Sequence, residues 1–277
     1  MFSGNPVLSL IIAVYNRPDF LERVFASLHN QTKQDFEILV ADDGSGPEIA
    51  ELIGRYQGRF GHPIRHQWHE DDGFRKTLIV NRAATEARSP YLVFIDGDCI
   101  LHHRFLERHF VRRKRGQVLS GRRVMLHEEL SDRLTLEDIR SRRIEKPSFW
   151  WNHTYPHDRK NGIYLPLLYG IRGGFSKRYE ILGSNFSVHK EDFYRVNGYD
   201  ERIIGRGLED NNLCARFHNG GIRVRPISQE ALQYHCHHTA YHHERSREEM
   251  DEFHATTETW TRYGIVKGEP PPATGQG

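Results

Sequence analysis

Four short segments of this 277-residue chain carry side chains that could do chemistry. Asp96-Gly97-Asp98 directly follows the apolar run Tyr91 to Ile95. Two carboxylates at the exposed end of a buried strand, with a glycine between them for a tight turn, suit a divalent cation shared with phosphate oxygens. A solvated strand end would read the same way, so the tripeptide alone is ambiguous. Asp42-Asp43-Gly44-Ser45 closes a second apolar run, Phe36 to Ala41, which puts two acidic turns on one rim of a sheet. Glu209-Asp210 opens a predicted helix, Leu208 to His218, where the helix dipole favours a carboxylate whether or not it has a further task. Tyr234-His235-Cys236-His237-His238 supplies imidazoles, which are common metal donors.

The elements that must position these groups alternate in type. Leu8 to Val14 reads as a buried strand, Pro18 to about Asn30 as a helix with proline in its first turn, and Phe36 to Ala41 as a strand. Pro47 to Phe60 follows as a helix, Ile64 to Trp68 as a strand, Thr77 to Ala87 as a helix and Tyr91 to Ile95 as a strand. Such alternation predicts an α/β fold with a mostly parallel sheet flanked by helices and function at the carboxyl ends of the strands. After a strand at Val118 to Val124 the pattern breaks. Pro147 to Gly174 reads as a long irregular loop whose Phe149, Trp150, Trp151, Tyr155, Tyr164 and Tyr169 suggest a lid over substrate. Order returns with a strand at Gly183 to Val188, a helix at Glu191 to Val196, the Leu208 to His218 helix and a strand at Ile222 to Val224.

Bulk composition sets limits. The formal net charge of +2 gives no global attraction to nucleic acid, so any anion site is local. Val7 to Val14 is too short to span a bilayer and has no basic segment before it, and the three cysteines make no Cys-x-x-Cys pair. Cytoplasmic residence is the expectation.

LSLIIAVYNRPDFLERVFASLHNQTKQDFEILVADDGS, residues 8–45, resembles the opening of family 2 glycosyltransferases of the GT-A fold. The resemblance implies that Tyr15, Asn16, Arg17, Asp42 and Asp43 hold the nucleotide base and ribose of a sugar nucleotide. Asp43 is the preferred base contact, with Asp42 open to a structural role. A carboxylate facing the imide N–H of uracil favours a UDP-sugar donor. Residues 69–98 are similar to the family segment that wraps ribose and phosphates, which implies Asp72, Gly73, Phe74, Arg75, Lys76 and Asn81, then Asp96 and Gly97. Residues 182–221 look like a galactosyltransferase-type carboxyl-terminal segment and imply Asp210 as general base, with Glu209 binding the acceptor. Asn212 stands where the family often carries a further acid, and the acceptor contact of that acid is not carried over. The same resemblance implies Asp98 as principal ligand of Mn2+ (or Mg2+), completed by His235 or His238. An independent zinc site among the six histidines from His235 to His254 is the competing account.

The expected protein is thus one GT-A domain over residues 1–266, a nucleotide half to about 125 and an acceptor half beyond it, with 267–277 as a flexible tail. Its expected reaction is an inverting, metal-dependent transfer of a sugar, Gal or GalNAc by the resemblance, to a glycan or lipid-linked glycan. The basic residues Arg104, Arg108, Arg112 to Arg115, Arg122, Arg123, Arg140, Arg142 and Arg143 read as a solvated helix face or as peripheral contact with the inner membrane face. Two other classes stay open: a sugar-nucleotide pyrophosphorylase, disfavoured because Tyr15-Asn16-Arg17-Pro18 lacks a glycine-rich loop, and a sugar-nucleotide or metal-binding module without turnover.

Overall fold

The computed structural model describes residues 4–168, 180–205, 207–239 and 256–270. Strands β1 (Ser9–Val14), β2 (Glu37–Asp42), β3 (Ile64–Trp68) and β4 (Tyr91–Asp96) are parallel neighbours in the order β3-β2-β1-β4. The sheet continues through β8 (Asn185–His189), antiparallel to β4, then β6 (Gln117–Ser120) and β9 (Arg223–Pro226), giving seven strands. The sheet order reverses between β1 and β4, which opens a crevice at their carboxyl ends. A second sheet of three short strands joins β5 (Cys99–Leu101), β10 (Gln233–His235) and β7 (Val124–Met125).

Period-two alternation in β1 sends its side chains to two cores. Leu10, Ile12 and Val14 pack with α1 (Pro18–Leu28), α2 (Pro47–Tyr56) and α4 (Phe105–Arg112). Ile11 faces the other way, towards α3 (Lys76–Glu86), α8 (Lys190–Arg195) and α9 (Glu209–Asn219). Each fully buried Leu, Ile or Phe contributes about 1.5–3 kcal/mol, so both faces are firmly covered. A third core under the small sheet includes Ile100, Val124, Tyr234 and Trp150, closed by α5 (Glu128–Arg133), α6 (Leu136–Arg140) and α7 (Pro147–Trp150).

Two expectations change. The strand expected over 118–124 is two strands in different sheets, because the chain leaves the large sheet at Gly121, whose N–H donates to Asn185 O at 2.8 Å. The described part of the expected 147–174 loop is short helical turns, and Trp150 is fully buried in the third core, so it is packing rather than lid. Residues 169–174, with Tyr169, lie outside the described residues. Several of the clustered arginines are paired. Arg108 and Arg112 both bind the buried Glu230, Arg115 pairs with Glu191, and Arg142 and Arg143 pair with Glu145 and Asp138. No helix among the described residues is long and apolar enough to cross a membrane.

Candidate active site

At the end of β1, Asn16 takes a left-handed conformation (φ 48°) that Asn tolerates better than most residues. Its N–H donates to Ser45 Oγ at 2.9 Å and its Oδ1 accepts from Gly46 N at 3.0 Å, which locks the loop after β1 to the turn after β2. Gly44 is obligatory there: its φ is 93°, and a Cβ would sit 2.5 Å from Asp71 Cα. Tyr15 donates its hydroxyl to Asp71 at 2.9 Å, while Arg17 pairs with Asp19 and lies 3.3 Å over the Phe20 ring.

The two aspartates after β2 part company. Asp42 is wholly buried, accepting Ser45 N–H and lying 2.8 Å from His66 Nε2. It braces the turn. Asp43 lines the cleft, 2.9 Å from His69 Nε2 and accepting the Arg75 N–H at 3.0 Å. Burial raises its carboxyl above the usual range against the opposing pull of His69 and Arg75 N–H.

After β4 the Asp96 and Asp98 carboxylates diverge in the same way. Asp96 Oδ1 lies 2.6 Å from Lys76 Nζ. Burial disfavours the ammonium, but the charges of Asp96, Asp210 and Glu209 outweigh it and hold Lys76 firmly protonated. Asp98 Oδ2 lies 3.1 Å from His235 Nε2 and 3.0 Å from His238 Nε2. The antiparallel pairing of His235 with Cys99 places these groups together. Although burial opposes it, the His235 charge, with hydrogen bonds from His238 and Cys99, keeps Asp98 well below the usual carboxylate range. His235 is 2% exposed, and neither ring nitrogen has a hydrogen bond of good geometry. A buried imidazole beside a carboxylate with no aligned bond is the arrangement expected of donors that converge on a shared cation.

At the opposite wall Glu209 and Asp210 open α9. Glu209 lines the cleft and accepts the Gly207 N–H at 2.6 Å. Asp210 Oδ2 accepts Gly183 N–H at 2.8 Å and Oδ1 accepts the Tyr199 hydroxyl at 3.1 Å. A Cβ on residue 183 would meet Asp210 Oδ1 at 2.4 Å, so glycine there makes room for the carboxylate. Burial, then the Glu209 charge, push the Asp210 carboxyl up to about 6, with Lys76 opposing.

One cleft of about 760 Å³, within the size range of small-molecule sites, opens beside these groups. Of the expected residues, Tyr15, Asn16, Arg17, Asp43, Gly73, Phe74, Lys76, Asp96, Gly97, Asp98, Glu209 and His238 line it. Asp42, Asp72, Arg75, Asn81, Asp210 and His235 are not in its lining. Asn81 is 2% exposed and spends its amide on Tyr199 N–H, Tyr199 O and Glu201, so it braces the segment behind Asp210. Asp72 is exposed and paired with Arg75. Unforeseen lining residues are Ala13, Val14, Phe20, Ala41, Glu128, Asp132, His237 and Thr239. Glu128 and Asp132 stand one helical turn apart in α5; their i,i+4 spacing was legible, but no flanking motif marked that helix. His242, His243 and His254 lie outside the described residues.

The glycosyl transferase family 2 model matches residues 9–183, and a model described as the N-terminal domain of galactosyltransferase matches residues 174–243. The chain is 27% identical over 252 residues to a validoxylamine A glucosyltransferase of Streptomyces hygroscopicus subsp. jinggangensis, covering 82% of this chain and 54% of that protein. It is 24% identical over 247 residues to a chondroitin synthase of Escherichia coli, covering 82% of this chain and 34% of that protein. The chain therefore spans about half or less of the length of these relatives. A mannosyltransferase from Pyrobaculum calidifontis, solved in complex with GDP-Man and Mn2+, superposes with a TM-score of 0.55 at 15% identity over 83% of this chain and 57% of that one, which shows the fold.

Proposed function

The chain belongs to glycosyl transferase family 2, and from that membership we propose that it transfers a sugar from a UDP-sugar to a hydroxyl of a glycan or lipid-linked glycan, with inversion at the anomeric carbon. The observation that carries this reading is the meeting of Asp43, Lys76, Asp96, Asp98, His238 and Glu209 in one cleft at the carboxyl ends of β1, β2 and β4. In this reading Tyr15, Asn16 and Asp43 seat the base, Gly73, Phe74 and Asp96 the ribose, and Lys76 and Arg17 oppose diphosphate charge. Asp98, His235 and His238 would hold a divalent cation, Mn2+ or Mg2+. Bound there, the cation supplies charge neutralisation for the departing diphosphate.

Asp210 takes the acceptor proton, and Glu209 orients the acceptor. The Asp210 pKa of about 6 suits a base that is ionised near neutrality yet still basic enough to accept a proton. The Gly183 N–H and Tyr199 hydroxyl fix the carboxylate's orientation. A second reading gives the proton to Glu209, since Glu209 lines the cleft and Asp210 does not.

Residues 1–266 act as one catalytic domain, and the relatives' glucose and the structural neighbour's GDP-Man keep the donor sugar open to assay. The deciding experiment incubates the protein with UDP- and GDP-sugars, with and without Mn2+, and follows nucleotide release. Metal-dependent hydrolysis of one UDP-sugar is expected. Release of nucleoside triphosphate on adding pyrophosphate, or binding without turnover for every donor, would replace this reading. Comparing Asp210→Asn with Glu209→Gln then separates the two base assignments: the true base loses about two to four orders of magnitude in kcat.

A further inference from the structure

Tyr199, whose hydroxyl donates to Asp210 Oδ1 at 3.1 Å, is itself held by a segment much later in the chain. It lies in the loop at 197–203, between α8 and α9. That loop begins with Asn197, which is 1% exposed and takes the left-handed conformation (φ 62°) that Asn tolerates. The Asn197 Nδ2 donates to Thr261 O and Val266 O, both at 2.7 Å, and its Oδ1 accepts the Val266 N–H at 2.8 Å. Its carbonyl accepts the Ile265 N–H at 3.1 Å. So close an approach needs glycine: a Cβ on Gly264 would sit 1.8 Å from that carbonyl oxygen.

Further bonds fasten the same segment to the rest of the loop. Thr261 Oγ1 donates to Asp200 Oδ2 at 2.7 Å, the Glu201 N–H donates to Tyr263 O at 3.0 Å, and Arg202 lies 4.2 Å from the centre of the Tyr263 ring. Ile265 packs against the core that contains Tyr199. Asn81, from α3, clamps the Tyr199 N–H and carbonyl, and Arg216, on the helix that carries Asp210, donates to Gly198 O at 2.7 Å. Both family models stop short of this segment, the second ending at residue 243.

We propose that residues 261–266 form a clasp, with Asn197 at its hub, that positions the Asp210 carboxylate through Tyr199. Asn197 and Tyr199 are positioning residues. The clasp's effect on turnover rests on the reading of Asp210 as base, whereas its hold on the carboxylate does not. A hydroxyl that donates to a carboxylate favours the charged form, so loosening Tyr199 makes Asp210 harder to ionise. Glu209, Lys76 and Asp96 set the charge around Asp210 from α9, α3 and β4, and substitutions in the clasp leave all three in place.

Gly264→Ala drives a methyl group against the Asn197 carbonyl without altering any residue of the cleft. Asp210 is titrated in the full chain by carbon-13 NMR of labelled aspartate carboxyls, its resonance identified by loss in Asp210→Asn. Gly264→Ala and Tyr199→Phe should each raise the midpoint, by up to about one pH unit, the share of one hydrogen bond to a carboxylate. The double variant should rise no further than Tyr199→Phe alone. A midpoint unmoved in either single variant, or rises that add in the double variant, overturns the clasp. The acid limb of kcat/KM, followed in the same proteins, should move with the midpoint; a limb that stays while the midpoint moves refutes Asp210 as base and leaves the clasp standing. Should Gly264→Ala lose its fold by circular dichroism, Thr261→Val decides in its place: it keeps the shape of the side chain and removes the hydroxyl bonded to Asp200, and an unmoved midpoint there overturns the clasp.

Discussion

Lys76 Nζ stands 2.6 Å from Asp96 Oδ1 and also lies in the field of Asp210 and Glu209. One ammonium therefore serves three carboxylates, and its removal acts on all of them.

Lys76→Met should move the acid limb of the pH–rate profile to higher pH, because Lys76 is the charge that opposes the upward push on Asp210. The readout is kcat/KM against pH for wild type and variant. An unmoved limb would show that Lys76 does not set the charge of the base.

In the wild type, kcat/KM should fall about tenfold per pH unit below roughly 6, where Asp210 takes up a proton. Asp210→Asn should lose this limb together with about two to four orders of magnitude in rate.

Stability should answer to the same group with the opposite sign. A carboxyl whose folded pKa is raised from 3.8 to about 6 favours the fold in its protonated form. That contribution is complete below the unfolded value and lost as pH rises through about 6. Asp210→Asn should therefore melt higher than wild type at pH 8, with the gap closing towards pH 4. Equal melting temperatures at pH 8 would mean that burial does not strain this carboxylate.

Adding Mn2+ should raise the melting temperature of wild type, and Asp98→Asn or His235→Ala should erase most of that rise, since these side chains and His238 are the converging donors. An undiminished rise in both variants would place the cation elsewhere.

Trp150→Ala should cost about 3–5 kcal/mol, the usual range for emptying a buried aromatic site, measured by denaturant unfolding. Donor KM should change little, because Trp150 lies in the core under the small sheet and lines none of the cleft. A lid residue would show the reverse pattern.

The parallel half of the fold was legible because its strands are continuous apolar runs and their ends carry paired acids. Asp43, Asp96 and Asp98 could be placed from that pattern, and Glu209 from the family resemblance, and the structure brings them to one cleft. Asn81 faces Tyr199 rather than the cleft for a physical reason: a polar residue inside a helix can face a ligand or a neighbouring loop equally well, and sequence alone does not say that Tyr199 waits opposite. The small sheet was invisible. Strands of two and three residues, such as Val124–Met125 and Cys99–Leu101, are too short to establish a period, and their pairing is set by distant chain. Glu128 and Asp132 were missed with it, because α5 takes its place from that sheet's core rather than from any motif of its own.

The pairing of β5 with β10 has a consequence for the order in which the molecule is completed. Asp98 and His238 are 140 residues apart along the chain. A chain still lacking its last strand can build the parallel sheet and seat Asp43 and Asp96, yet cannot gather the donors around Asp98. Cation affinity is thus a late acquisition, gained only when the end of the fold returns to its middle, and a tight cation would act as a clasp that rewards the finished topology over every partial one.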